Sequence, residues 1–207
     1  MNLLTHTKPK SSCPSLSLPA VTDCPACALS IRLAHERGCE SICERCYAQK
    51  GRYVFRNVRD NQRARSQWWH ETDPSDRAVI LADAVKREGS PRYFRCYDSG
   101  DLDLTATGTW LKFAELLPGT RIWIPTRTWI LPEFLPGLRA LNDHPRIIVR
   151  PSTVAFDDPP VDIAGLAGGH AAHWKEGIKA AFLCPGSCAT CRICWDRPDM
   201  SVSFKRR

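Results

Sequence analysis

Nine of the eleven cysteines in this 207-residue chain fall into two clusters near its opposite ends. Cys24, Cys27, Cys39, Cys43 and Cys46 make the first. Cys184, Cys188, Cys191 and Cys194 make the second, and Cys13 and Cys96 stand apart. A disulfide framework would spread its cysteines along the chain. Spacings of two and three residues instead let several sulfurs converge on one centre with little chain entropy to lose. No apolar run reaches membrane-spanning length, and the first residues lack the apolar core of a secretory signal. A cytoplasmic location is therefore expected. In a reducing compartment, cysteines at this density point to metal or redox chemistry.

The first cluster contains Cys39-Glu-Ser-Ile-Cys43-Glu-Arg-Cys46, a C-x3-C-x2-C pattern. Three thiolates from one loop can hold three irons of a four-iron cluster and leave the fourth iron open. Zinc takes four ligands, and Cys24, Cys27 or His35 would complete such a site, with Cys24-x2-Cys27 as an ordinary half-site. Spacing alone leaves a [4Fe-4S] cluster and zinc both open. The second cluster, Cys184, Cys188, Cys191 and Cys194, is a complete four-sulfur set. It reads either as a structural zinc knuckle or as the ligands of a second cluster. Cys13 and Cys96 read as unligated.

The rest of the chain carries an α/β pattern. Its composition, 43% hydrophobic and 25% charged, is that of a globular domain and excludes disorder. Residues 1–22, rich in Ser, Pro and Thr, read as an extended N-terminal arm, and 23–207 as one α/β metal-binding domain. A short helix is expected near 28–36 and a longer one from Arg56 to His70. Asp73-Pro74 starts a third helix and Gly89 closes it. Strands are expected at Arg92–Tyr97, Arg121–Pro125, Arg146–Val149 and Lys179–Leu183. Helices lie between the first three, at Trp110–Leu117 and Phe134–Leu141. This βα spacing predicts parallel strands in a partial (β/α) barrel-like sheet, with cysteine-rich metal-binding loops at both ends of the chain. Residues 155–177 read as an irregular loop, and His170 and His173 in it as solvent-exposed bystanders.

In parallel sheets the site lies at the carboxyl ends of the strands. Those ends carry Ser99-Gly100-Asp101, Thr126-Arg127-Thr128 and Arg150-Pro151-Ser152-Thr153, and the fourth runs into Cys184. Capping of the next helix would explain each alone, but together they suggest a shared site. A net charge of +7 invites an anionic partner. Residues 50–65 hold Lys50, Arg52, Arg56, Arg59, Arg63 and Arg65 against Asp60, with Tyr47, Tyr53, Phe55, Trp68 and Trp69 interleaved. Such a stretch suits nucleic acid or a nucleotide, and it also reads as a solvated helix face.

The order of these pieces resembles the phage gene product 88 family. The shared pieces are the C-x3-C-x2-C-Tyr loop, Gly51-Arg52-Tyr53, Ser99-Gly100-Asp101, Thr126-Arg127-Thr128-Trp129 and the terminal Cys191-x2-Cys194-Trp195. The likeness runs from about Pro19 to Trp195 and implies a phage context, hence a host cytoplasm. The organisation is also similar to radical S-adenosylmethionine enzymes. That likeness implies a cluster on Cys39, Cys43 and Cys46 whose open iron would bind and cleave S-adenosylmethionine. Ser99, Gly100 and Asp101 would bind that cofactor, Asp101 on its amino group. Asp101, Arg127 and Arg150 would line the catalytic pocket. The alternative is a zinc-stabilised phage protein that binds nucleic acid and catalyses nothing.

Overall fold

The computed structural model describes residues 2–6, 13–173 and 181–205. The beginning of the expected strand Lys179–Leu183 and the end of the expected loop 155–177 lie outside the described residues. So do Arg206 and Arg207. Among the described residues eight strands are present: β1 (Thr5–His6), β2 (Pro14–Leu16), β3 (Tyr93–Tyr97), β4 (Arg121–Thr126), β5 (Ile147–Pro151), β6 (His170–His173), β7 (Phe182–Leu183) and β8 (Val202–Lys205). Six α-helices accompany them: α1 (Cys27–Glu36), α2 (Arg56–Glu71), α3 (Pro74–Arg87), α4 (Ala106–Leu116), α5 (Leu135–Asp143) and α6 (Ile193–Asp196).

The main sheet has the order β1-β2-β3-β4-β5. β2 to β5 run parallel, and β1 pairs antiparallel on the edge. The crossovers are the expected helices. Asp73 caps α3 by accepting from the backbone N–H of Ser75 at 2.9 Å, with Pro74 in the first turn. Successive strand residues face opposite sides. On one side Leu16, Phe94, Ile122, Ile124, Ile147 and Val149 meet Trp69, Leu81, Trp110, Phe113 and Leu138 from α2 to α5, forming the main core. Trp69 stacks on Trp110 at 5.8 Å, and Trp110 donates to the hydroxyl of Tyr97 at 3.1 Å.

Three expectations change here. Residues 1–22 were expected as an arm, yet they supply two strands, and Leu16 and Leu18 are buried in the core. β2 is only three residues long and is concealed by serine: Ser15 within it and Ser17 just after it are buried because hydrogen bonds satisfy them. The strand at Phe182–Leu183 does not extend the main sheet. It belongs to a second, all-parallel sheet ordered β6-β8-β7. Among the described residues a parallel bridge, Ser152 to His170, joins the two sheets, and the expected partial barrel-like sheet is an open five-stranded, mostly parallel one. Finally, His170 and His173 are buried, because β6 lies inside the molecule.

The second sheet and α6 cover the other side of the main sheet. Cys13, Trp123, Cys194, Trp195 and Val202 form a separate buried cluster there. Among the described residues no helix is long and apolar enough to cross a membrane.

Candidate functional site

The first cysteine group is built by two loops at the carboxyl end of the main sheet. After β2 the chain passes through Asp23 and Cys24 into α1, which begins at Cys27; the backbone N–H of Cys27 donates to the Cys24 carbonyl at 2.9 Å. The second loop, 39–46, is anchored beyond β5. The Ile42 N–H and the Ser41 hydroxyl donate to the Val154 carbonyl, and Ser41 Oγ accepts from the Cys43 N–H at 3.1 Å.

These anchors bring Cys24, Cys27, Cys43 and Cys46 together. Cys43 and Cys46 both act electrostatically on Cys27 and on Cys24, so the four thiols share one neighbourhood. Burial pushes the thiol of Cys27 up to about 12, and Cys43 adds to this while Arg127 opposes it. Burial also raises Cys24, with Asp101 adding to the shift, and raises Cys46, where Arg127 and Lys50 pull the other way. Cys39 turns elsewhere. Its Sγ faces the Arg37 carbonyl at 3.5 Å, and its side chain packs near Ala34, Val154 and Ala155. His35 pairs with Glu44 at 2.9 Å. The structure thus groups Cys43 and Cys46 with Cys24 and Cys27 rather than with Cys39.

The Ser-Gly-Asp segment frames this group from behind. Ser99 is buried; its hydroxyl donates to the Leu18 carbonyl at 2.6 Å and meets Ser17 Oγ at 2.8 Å. Gln62 Nε2 donates to Ser99 Oγ at 2.8 Å and to the Leu18 carbonyl at 3.3 Å. Gly100 sits at φ +83°, where a Cβ would stand 2.8 Å from Leu18 Cβ. The Asp101 N–H donates to the Asp23 carbonyl at 2.7 Å, next to Cys24. The Asp101 carboxylate accepts the N–H groups of Leu102 at 2.8 Å and Arg127 at 2.9 Å. Burial raises its pKa against those donors. Expected to hold a cofactor, Ser99 and Gly100 instead fasten the end of β3 to the loop that carries Cys24. Arg127 donates through Nε to the Thr153 carbonyl at 2.8 Å, and its charge reaches Cys27 and Cys46.

Arg150 does not line a pocket. It is fully buried on the opposite side of the sheet, and all five of its N–H groups go to carbonyls. Nε serves Cys194, Nη1 serves Gly168 and Met200, and Nη2 serves Ile193 and Arg197. A guanidinium with no free donor cannot take a substrate carboxylate or phosphate. Its position at a strand end carried the expectation; its partners overturn it.

Four of those carbonyls belong to the segment of the second cysteine group, and Gly168 lies ahead of β6. Charges of Cys184 and Cys188 act on Cys194, and those of Cys184 and Cys191 on Cys188. Cys194 is buried and pushed up to about 12. Cys13, expected to be unligated, packs in the same cluster, feels the charge of Cys188 and is likewise raised by burial to about 12. His170 Nε2 lies 3.9 Å from Cys194 Sγ, its ring edge-on to Trp123 and Phe204. Trp195 donates to the Phe94 carbonyl at 2.8 Å and fixes α6 to the sheet. Among the described residues no three His, Cys, Asp or Glu side chains are arranged to hold a metal ion as they stand.

Between the two groups lies a polar network that the sequence reading missed. Asp98, buried at the end of β3, accepts from Arg95 Nη1 at 2.9 Å and from the Tyr53 hydroxyl. The Tyr47 hydroxyl donates to the Asp98 carbonyl, and Arg95 Nη2 donates to Tyr47 Oη at 3.2 Å. The Arg95 guanidinium lies over the Trp123 ring at 4.9 Å. The tyrosines after Cys46 and in Gly51-Arg52-Tyr53 were the available signal.

A family model described as Gene product 88 matches residues 2–153. The match takes in β1 and β2 and stops before the second cysteine group, so it begins and ends earlier than the resemblance read from the motifs. No curated protein and no solved structure matches the chain.

Proposed function

The chain belongs to the gene product 88 family, and on that premise we propose that it is an iron–sulfur protein whose first cluster is held by Cys24, Cys27, Cys43 and Cys46. The observation that carries this is that two separately anchored loops place these four thiols in one neighbourhood at the carboxyl end of the parallel strands, where Cys43 and Cys46 act on Cys24 and Cys27. The donor chemistry fits a thiolate-bound centre. Each cysteine turns about a single side-chain torsion, so its sulfur can reorient towards a shared centre without a change of backbone. Cys184, Cys188, Cys191 and Cys194 form the second set.

A cluster supplies one-electron transfer. The residues around it perform the remaining tasks. Arg127, beside Cys27 and Cys46, favours their thiolate forms and offsets the negative charge of a four-thiolate site. Asp101 holds the backbone of Arg127 in place. Ser99, Gly100 and Gln62 fix the loop that carries Cys24.

Reductive cleavage of S-adenosylmethionine is the finer reading. The order β2, cysteine loop, then β3 ending in Ser-Gly-Asp favours it. A set of four thiols argues against it, because it leaves no iron open, and the engaged Asp101 carboxylate has little capacity left for an amino group.

The test is iron, zinc and sulfide analysis, with a visible spectrum, on protein purified without oxygen. Iron matched by acid-labile sulfide supports the proposal. Stoichiometric zinc without colour overturns it. With iron-loaded protein and a strong reductant, formation of 5′-deoxyadenosine from S-adenosylmethionine decides the finer reading.

A further inference from the structure

We propose that the surface of Tyr47, Lys50, Arg52, Phe55, Arg56 and Arg59 binds single-stranded nucleic acid. Among the described residues, Tyr47 and Phe55 are the two exposed aromatic side chains, 50% and 58% exposed; Phe55 falls inside the basic stretch 50–65 and Tyr47 three residues before it. Val54 between them is exposed as well. Open rings next to a run of cations give bases a face to stack on.

The backbone holds these side chains in one compact unit. Two short 3-10 turns, Tyr47–Gln49 and Gly51–Val54, run directly into α2. The Lys50 N–H donates to the Tyr47 carbonyl, the Tyr53 N–H to Lys50 and the Phe55 N–H to Arg52. Tyr47 is tethered at its hydroxyl by the Asp98 carbonyl and by Arg95 while half of its surface stays open. A ring fixed at its tip loses little entropy when a base stacks on it.

The cations surround the rings. Lys50, Arg52 and Arg59 are exposed and, among the described residues, have no acidic partner. Arg56, Arg59 and Arg63 share one face of α2 at helical spacing. Asp60 is the only acid on that face, in long contacts of 3.7 and 3.8 Å to Arg56 and Arg63. Arg65 is excluded, being buried with Nη1 on the Asn2 carbonyl. The remaining surface alternates positive charge with open rings, the pattern that tracks a phosphate backbone and takes unstacked bases. A membrane would need an apolar face to insert, but the outward face of α2 carries arginines. The patch borders the first cysteine group, since Lys50 acts on Cys46, yet this inference does not depend on any metal there.

The test is fluorescence anisotropy of the full chain with a labelled oligothymidylate of about 12 nucleotides. Neutralising four phosphates predicts a roughly 50-fold loss of affinity between 0.05 and 0.2 M salt. Arg56→Glu with Arg59→Glu should weaken binding at least tenfold and flatten the salt dependence. Phe55→Ala should weaken it roughly tenfold and leave the salt slope intact, because stacking carries no counterion release. All three side chains are exposed, and circular dichroism of each variant confirms folding. No binding at low salt, equal binding of a duplex, unchanged binding by the Arg variants, or binding to phosphatidylserine vesicles in place of the oligonucleotide would each overturn the proposal.

Discussion

The Nε of Arg150 donates to the carbonyl of Cys194 at 3.2 Å, the first of four hydrogen bonds by which one β5 side chain grips the segment bearing the second cysteine group, while a fifth ties it to Gly168 ahead of β6. An apolar side chain of similar length cannot replace it. Arg150→Met leaves five carbonyls without their donor in a buried site, which costs about 4 kcal/mol or more. The urea midpoint should fall sharply, and residues 181–205 should become the first cut in limited proteolysis. A variant with the parent midpoint would show the clamp to be dispensable.

The thiol grouping separates two variants with similar chemistry. Cys27→Ser should empty the first site, whereas Cys39→Ser should keep its metal, because Cys39 faces the Arg37 carbonyl. Metal content per chain, measured after anaerobic loading, reads the difference. Loss with Cys39→Ser and retention with Cys27→Ser would restore the C-x3-C-x2-C trio as the ligand set.

Gly100 meets two constraints at once, a left-handed backbone at φ +83° and a Cβ position 2.8 Å from Leu18 Cβ. Gly100→Ala should therefore cost about 2–4 kcal/mol. Because Asp101 holds Asp23 beside Cys24, the same change should also weaken metal retention at the first site. Unfolding measured alongside metal content checks both effects.

His170 gives the protein an acid limb. Burial lowers its pKa well below the ordinary value, and the charges of Arg150, Arg95 and Arg127 add to the effect. A depressed folded-state pKa gives stability that is present above the unfolded value, about 6.5, and lost as pH falls below it. The free energy of unfolding should be level near pH 7.5. It should fall below pH 6.5 with a slope approaching about 1.4 kcal/mol per pH unit. His170→Phe, which keeps the contacts to Trp123 and Phe204, should flatten that limb, leaving the smaller share of His144, also lowered by burial.

The βα units were legible because their signals are local: the Asp73-Pro74 start, the apolar spacing on α3 to α5 and the β-branched runs of β4 and β5. What escaped depends on partners far away in sequence. β2 is three residues of Pro, Ser and Leu, and only its pairing with β3 makes it a strand. His170 and His173 sit among Gly and Ala, and their burial comes from pairing with residues 202–205. At the site, residue type was legible and role was not. Ser99, Asp101 and Arg150 are polar and end strands, as substrate-binding residues would be. Their hydrogen bonds go to backbone groups of other loops, which spacing cannot reveal. The place of Cys24 and Cys27 beside Cys43 and Cys46 likewise depends on two loops anchored from opposite edges of the sheet.

The second sheet is ordered β6-β8-β7, so its middle strand is the last one in the chain. During synthesis the ribosome releases β6 and β7 before the strand both must pair with, and neither can form its ladder until residues 202–205 emerge. The side of the main sheet that carries Trp123 and Arg150 therefore stays open while β1 to β5 are already able to fold. That interval leaves this side of the sheet open to water until the C-terminal segment shuts over it.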